Sequence, residues 1–199
     1  TVFLNISKEE SMTAFTTEKI DVEPWFDMEL FMGVSQETRL GGDVMDRFMT
    51  LWKNWLPHLT VKGIDTGKIK YLLVALDESV EQDVDKAWEG SPSNAFLYNA
   101  LAQTMCMAAV HAVIPEVQDA GCAPAPKPTA TLREALEAEG IPYSNDKDPI
   151  LSRRYAVVTH YPFKGGCEIC VLQSNCPKGQ GQMEATSVVL PGYEHPQQM

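Results

Sequence analysis

The chain reads as mainly α: a helical body with a small C-terminal metal-binding lobe containing one or two β-strands. Three observations predict this. Apolar residues recur at three- and four-residue intervals through most of residues 44–114, the period of a helix buried on one side. Tyr155 to Tyr161 is rich in β-branched and aromatic residues and reads as a strand. That strand leads into Cys167, Cys170 and Cys176, spaced Cys-x2-Cys-x5-Cys, with Gly165-Gly166 before them and Pro177 after. A stiff proline-rich connector, Gly121 to Pro128, divides the two parts. Residues 1–122 are then a helical body with an N-terminal arm. Residues 123–199 are the metal-binding lobe, packed with the body as one unit.

Composition narrows the function classes. The 199 residues suit one domain with a small appendage, and 44% hydrophobic residues can bury a core. A net charge of −11 argues against nucleic acid and anionic membrane surfaces, both of which need clustered Lys and Arg. Five cysteines cannot all pair within one chain, and their clustering favours metal over a disulfide framework. Residues 1–20 lack a basic start followed by an apolar run, so the expected location is the cytoplasm.

Residues 1–22 carry weak periodicity and read as an extended arm. Pro24 suits the first position of a short helix over Trp25–Met32. Gly41-Gly42 breaks the chain, and Asp43 reads as the N-cap of an amphipathic helix over 44–56, ended by Pro57. Its stripe of Val44, Phe48, Leu51, Trp52 and Trp55 reads as core. Residues 67–89 again show helical spacing, with a strand over Tyr71–Leu76 as the competing reading because that run is continuously apolar. Gly63, Gly67 and Lys68 fall one residue short of a phosphate loop, and Ile69 stands where a hydroxyl should bind magnesium.

Ser93 reads as the N-cap of a helix over 95–114 without a charged residue. Its length would span a bilayer. Asn99, Gln103, Thr104 and His111 interrupt it and no basic cluster flanks it, so it reads as a buried central helix, with no membrane contact. Thr131 and Glu134 have capping-box spacing and Gly140 fits just past a helix end, giving a short exposed helix over 132–139. Arg153 and Arg154 read as surface residues.

The cysteines carry the chemistry. Three thiolates and one further ligand hold either a tetrahedral zinc or an iron–sulfur cluster. The ten residues Cys167–Cys176 resemble the three-cysteine run of iron–sulfur helix-hairpin-helix DNA glycosylases and of RecB-type iron–sulfur nucleases. In those families the run closes a four-iron cluster, which is what the resemblance implies here. The glycosylase pattern has a further cysteine ahead of the run, where this chain has His160, and neither family's DNA-processing motifs are present. Only the cluster is therefore carried over. The first choice of fourth ligand is Cys122, in a loop able to reach across. His160 follows, as the natural member of a Cys3His zinc site, and then Cys106.

These readings give a 4Fe–4S protein acting in electron transfer or as an accessory subunit of a larger redox enzyme. The alternatives are a zinc-stapled structural or assembly subunit and a small iron–sulfur enzyme of unrecognised substrate. No nucleophile elbow, His-Glu-x-x-His or Glu-x-x-His pattern marks a different catalytic centre. An acidic surface, polar tails and a knuckle near the C-terminus favour a complex with a protein partner subunit or a homo-oligomer.

Overall fold

The computed structural model describes residues 14–145 and 149–176. The expectations for the start of the arm and for the chain beyond Cys176 lie outside them. About half of the structure is helical, but a four-stranded antiparallel sheet runs through its middle, and this overturns the mainly α reading. The strands are β1 (Thr16–Lys19), β2 (Leu59–Asp65), β3 (Lys70–Leu76) and β4 (Ala156–His160), lying side by side in that order. Helices cover both faces. On one lie α1 (Met28–Ser35), α2 (Gly42–Trp55), α3 (Glu78–Gly90), α4 (Pro92–Val113) and α5 (Glu116–Ala120); on the other lies α6 (Ala130–Ala138).

One helix over 67–89 is not what forms: the competing strand over Tyr71–Leu76 is β3, and a helix, α3, follows it after Asp77. β3 is central in the sheet and six of its seven residues are buried. A strand covered on both faces needs apolar residues at every position, so the period-two signal disappears and helical spacing matches by accident. β2 was concealed differently: Lys62 and Gly63 interrupt its apolar pattern. The two strands form a hairpin in register from Leu59 with Leu76 to Asp65 with Lys70. Gly67, at φ +75°, turns it, so the near-match to a phosphate loop is a hairpin end.

Several helix starts also move. α1 begins at Met28 rather than at Trp25, and Asp27 caps it, accepting from the Leu30 N–H at 3.0 Å. Gly41 replaces Asp43 at the start of α2, and Ser91 replaces Ser93 at the start of α4. Asp77 caps α3 by accepting the Ser79 N–H at 2.9 Å. Replacing this cap, Asp77→Ala, is expected to cost about 0.5–2 kcal/mol in a urea titration.

The helix expected over 95–114 is α4, and it is central. Ten of its residues are buried, among them Leu101, Met105, Ala109 and Val110, against the sheet and helices α1, α2, α3 and α5. It is also the one described helix long and apolar enough to cross a membrane. His111, near its C-terminal end, is held below its ordinary pKa of 6.5 by burial, with Asp27 pulling the other way. The unfolded chain then binds this proton more readily than the folded one. Stability is expected to fall as pH drops below about 6.5 and to level off beneath the folded pKa. His111→Gln should flatten that part of a pH–stability curve.

α6 is not the exposed helix expected. Thr129, rather than a Thr131–Glu134 box, caps it, and Leu132, Ala135 and Leu136 are fully buried on the second sheet face. Gly140, at φ +72°, follows the helix end as expected. β4 matches the expected strand and pairs with β3 from Ala75–Ala156 to Tyr71–His160. Within the 123–199 stretch, β4 therefore joins the same sheet as the strands of the body, and α6 packs on it.

Candidate metal centre

β4 is an edge strand, and the connector after α5 passes along it on its way from one face of the sheet to the other. Three hydrogen bonds hold that connector. The buried Thr159 hydroxyl on β4 donates to the Pro124 carbonyl at 2.9 Å. One residue on, the Ala125 carbonyl accepts the Val171 N–H at 3.0 Å, and the Ala125 N–H donates to Cys170 Sγ at 3.4 Å. The segment that begins at Cys122 is thus clasped between the last strand and the cysteine knuckle. Ala125 and Thr159 were not singled out in the sequence, since one acts through its backbone and the other is an ordinary strand residue.

The knuckle is two consecutive 3-10 turns, Cys167–Ile169 and Gln173–Asn175. The Cys170 N–H donates to the Cys167 carbonyl at 3.2 Å and the Cys176 N–H to Gln173 at 3.4 Å. Ahead of the first turn the Glu168 carboxylate folds back to accept the Gly166 N–H at 2.9 Å. Gly165 sits at φ +144°, and a Cβ there would lie 2.2 Å from a Glu168 oxygen. A side chain at 165 would strain the backbone at this φ and push the Glu168 carboxylate aside.

Cys167, Cys170, Cys176 and Cys122 are all partly exposed, and none of the five cysteines is in a disulfide. Cys106 is different. It is buried on α4, its thiol lies 3.5 Å from the Tyr155 carbonyl, and desolvation pushes its pKa up to about 12. A thiol in that setting is an inert core residue rather than a ready ligand. A thiol reagent at pH 8 is expected to modify Cys106 in the unfolded chain but to leave it untouched in the folded one.

His160, at the end of β4, packs at a tilt against Tyr71 with ring centroids 5.5 Å apart. Its Nδ1 is buried without a hydrogen-bond partner among the described residues. Burial, helped by Lys164, holds the ring below its usual pKa and so neutral, the form that binds metal. Among the described residues no three His, Cys, Asp or Glu side chains stand close enough together to hold one metal ion. The donor set itself suits a soft metal, with three thiols on one short loop and an N–H already aimed at one sulfur.

A Ser–His–Asp cluster also occurs, at the start of α3. His58 Nδ1 lies 2.6 Å from Asp77 Oδ2 and 3.1 Å from Ser79 Oγ, which also donates to Asp77 Oδ1. A nucleophilic triad needs serine and carboxylate on opposite ring nitrogens. Here both crowd Nδ1, so the cluster reinforces the helix cap. Comparison with protein-family models, curated proteins and solved structures found no match for this chain.

Proposed function

We propose that this chain is an iron–sulfur protein of the cytoplasm, serving in electron transfer or as an accessory subunit of a larger redox enzyme. Cys167, Cys170 and Cys176 would hold three corners of one 4Fe–4S cluster and Cys122 the fourth. When bound, such a cluster accepts and donates single electrons. The observation that carries the reading is the clasp at Ala125, which brings the Cys122 segment to the knuckle with an N–H directed at Cys170 Sγ. Hydrogen bonds to cluster sulfurs stabilise their negative charge and raise the reduction potential. The thiols would draw together on binding, as the metal displaces their protons and its bonds to sulfur close the site.

Partial exposure of the knuckle is compatible with a protein partner, and the net charge of −11 favours one with a basic docking face. The test compares Cys122→Ser with Cys106→Ser, purified without oxygen. Cys122→Ser is expected to lose iron and visible absorption, while Cys106→Ser retains both. The reverse pattern overturns the ligand assignment.

A second reading is favoured by His160. Its neutral ring, with Nδ1 making no hydrogen bond among the described residues, makes a Cys3His zinc staple chemically reasonable, in a structural or assembly subunit. One zinc and no iron in the wild type, lost in His160→Gln, would select it.

A further inference from the structure

A cleft of about 90 Å³ lies where the chain enters α1, beside the C-terminal end of α4. Trp25 and Asp27 come from the entry segment, Ala108, His111 and Ala112 from α4, and Gln118 from α5. It shares no residue with the proposed metal site and does not depend on the metal reading. Whole small-molecule sites run from about 300 Å³ upward, so this one has room for a head group alone.

Trp25 stands on a fixed backbone. Before it, the Pro24 carbonyl accepts the Trp52 Nε1–H at 3.1 Å. After it, the Phe26 ring packs against Phe31 and Trp52, with centroids 5.8 and 5.3 Å away, and Asp27 caps α1. Its neighbours are anchored inward, yet the Trp25 side chain is 72% exposed. An exposed indole on a rigid backbone can take a ligand at little cost in ordering.

The polar groups of the cleft are also open. Asp27 Oδ1 accepts the Leu30 N–H, but the carboxylate makes no ion pair among the described residues. The side chains of His111 and Gln118 make no hydrogen bond among them either. His111 is kept neutral by burial, so one ring nitrogen offers a lone pair. No Lys or Arg lines the cleft, and His111 lies in the last turn of α4, where the carbonyl end of the helix dipole favours a cation. A single carboxylate lines it, which suits one positive charge rather than a divalent ion.

We infer that this cleft binds a primary alkylammonium group, whose three N–H donors are taken by Asp27, His111 and Gln118 while its alkyl chain lies against Trp25. The three acceptors match the three donors of an ammonium. A quaternary ammonium would leave them unfilled, and a guanidinium brings five donors in a plane. The indole adds cation–π attraction, for which Trp is the best of the aromatic side chains. The group could be carried by a free amine or by the lysine of another protein, and the test separates the two.

The test is an NMR titration of the full chain at pH 7.5 with n-butylammonium as the probe. Tetramethylammonium and sodium chloride at equal ionic strength serve as comparisons. Butylammonium is expected to give saturable shifts of the Trp25 indole N–H and of the Ala112 and Gln118 amides that sodium does not, and to bind more tightly than tetramethylammonium. Asp27→Asn keeps an N-cap residue for α1 and should weaken butylammonium about tenfold, the loss of a charge-assisted hydrogen bond. Trp25→Ala removes an exposed side chain, so it should fold, and should weaken binding roughly two- to fivefold. Asp119→Asn, on α5 but outside the cleft, should bind like the wild type. Lysine blocked at both its α-amino and carboxyl groups separates the sources: affinity equal to that of butylammonium supports a protein lysine, and weaker binding supports a free amine. The inference is overturned by an absence of saturable butylammonium shifts in the wild type, by tetramethylammonium binding as tightly, or by unchanged affinity in folded Asp27→Asn or Trp25→Ala.

Discussion

Cys170→Ser, purified without oxygen, is expected to carry no four-iron cluster. Its effect should be the largest of the four proposed ligand positions, because Cys170 has two roles. It would bind the metal, and its sulfur already accepts the Ala125 N–H at 3.4 Å, so it also joins the knuckle to the connector. Serine offers a harder, less acidic ligand that iron–sulfur clusters rarely tolerate. Its loss should be felt locally. The amides of Ala125 and Val171, paired across the clasp, should exchange with solvent much faster than in the wild type. Amides of β3, buried on both faces, should change little. Metal bound across the junction closes a long loop and adds its free energy to folding, so removing it should loosen the knuckle more than the sheet. Iron analysis together with hydrogen exchange checks both halves.

Trp55→Ala is expected to cost about 3–5 kcal/mol, the range for removing a large buried aromatic side chain. Trp55 is 1% exposed at the end of α2, and its Nε1 donates to Asp83 on α3 at 3.0 Å. The substitution leaves a cavity and also removes the bond joining α2 to α3. Since net stabilities are about 5–15 kcal/mol, much of the reserve would go. Trp25→Ala is the contrast. Trp25 is 72% exposed, and its loss should stay within about 0.5 kcal/mol. Equal urea midpoints for the two variants would contradict the packing described for the helical face.

The legible parts of the sequence were those with one strong local signal. α2 and α4 declared themselves because one is amphipathic and the other uncharged throughout. β4 was legible from its β-branched run, and the end of α6 from Gly140, whose positive φ the sequence position anticipated. What failed was the sheet. β3 is apolar at nearly every position because helices lie on both sides of it, and that fact belongs to the tertiary structure rather than to any window of sequence. β1 is a four-residue, fully exposed strand with no pattern to read. Once β3 was read as helix, the sheet had no centre and α6 had no face to cover.

The candidate metal residues were visible as a cysteine spacing. The path that brings the Cys122 segment to the knuckle was not, since it rests on a Thr159 hydroxyl and on backbone groups of Pro124, Ala125 and Val171. Arg153 was read as a surface residue. Only the fold pairs it with Glu81 on α3, far from it in the chain.

The most direct measurement is the native mass of the wild-type chain, purified and sprayed without oxygen. The expected mass exceeds that of the polypeptide by four iron and four sulfide, and returns to the bare polypeptide mass for Cys170→Ser. A mass increased by a single zinc would contradict the cluster and favour the Cys3His staple. A bare polypeptide mass after anaerobic reconstitution with iron and sulfide would contradict the cluster, and a bare mass after zinc is added would contradict the staple.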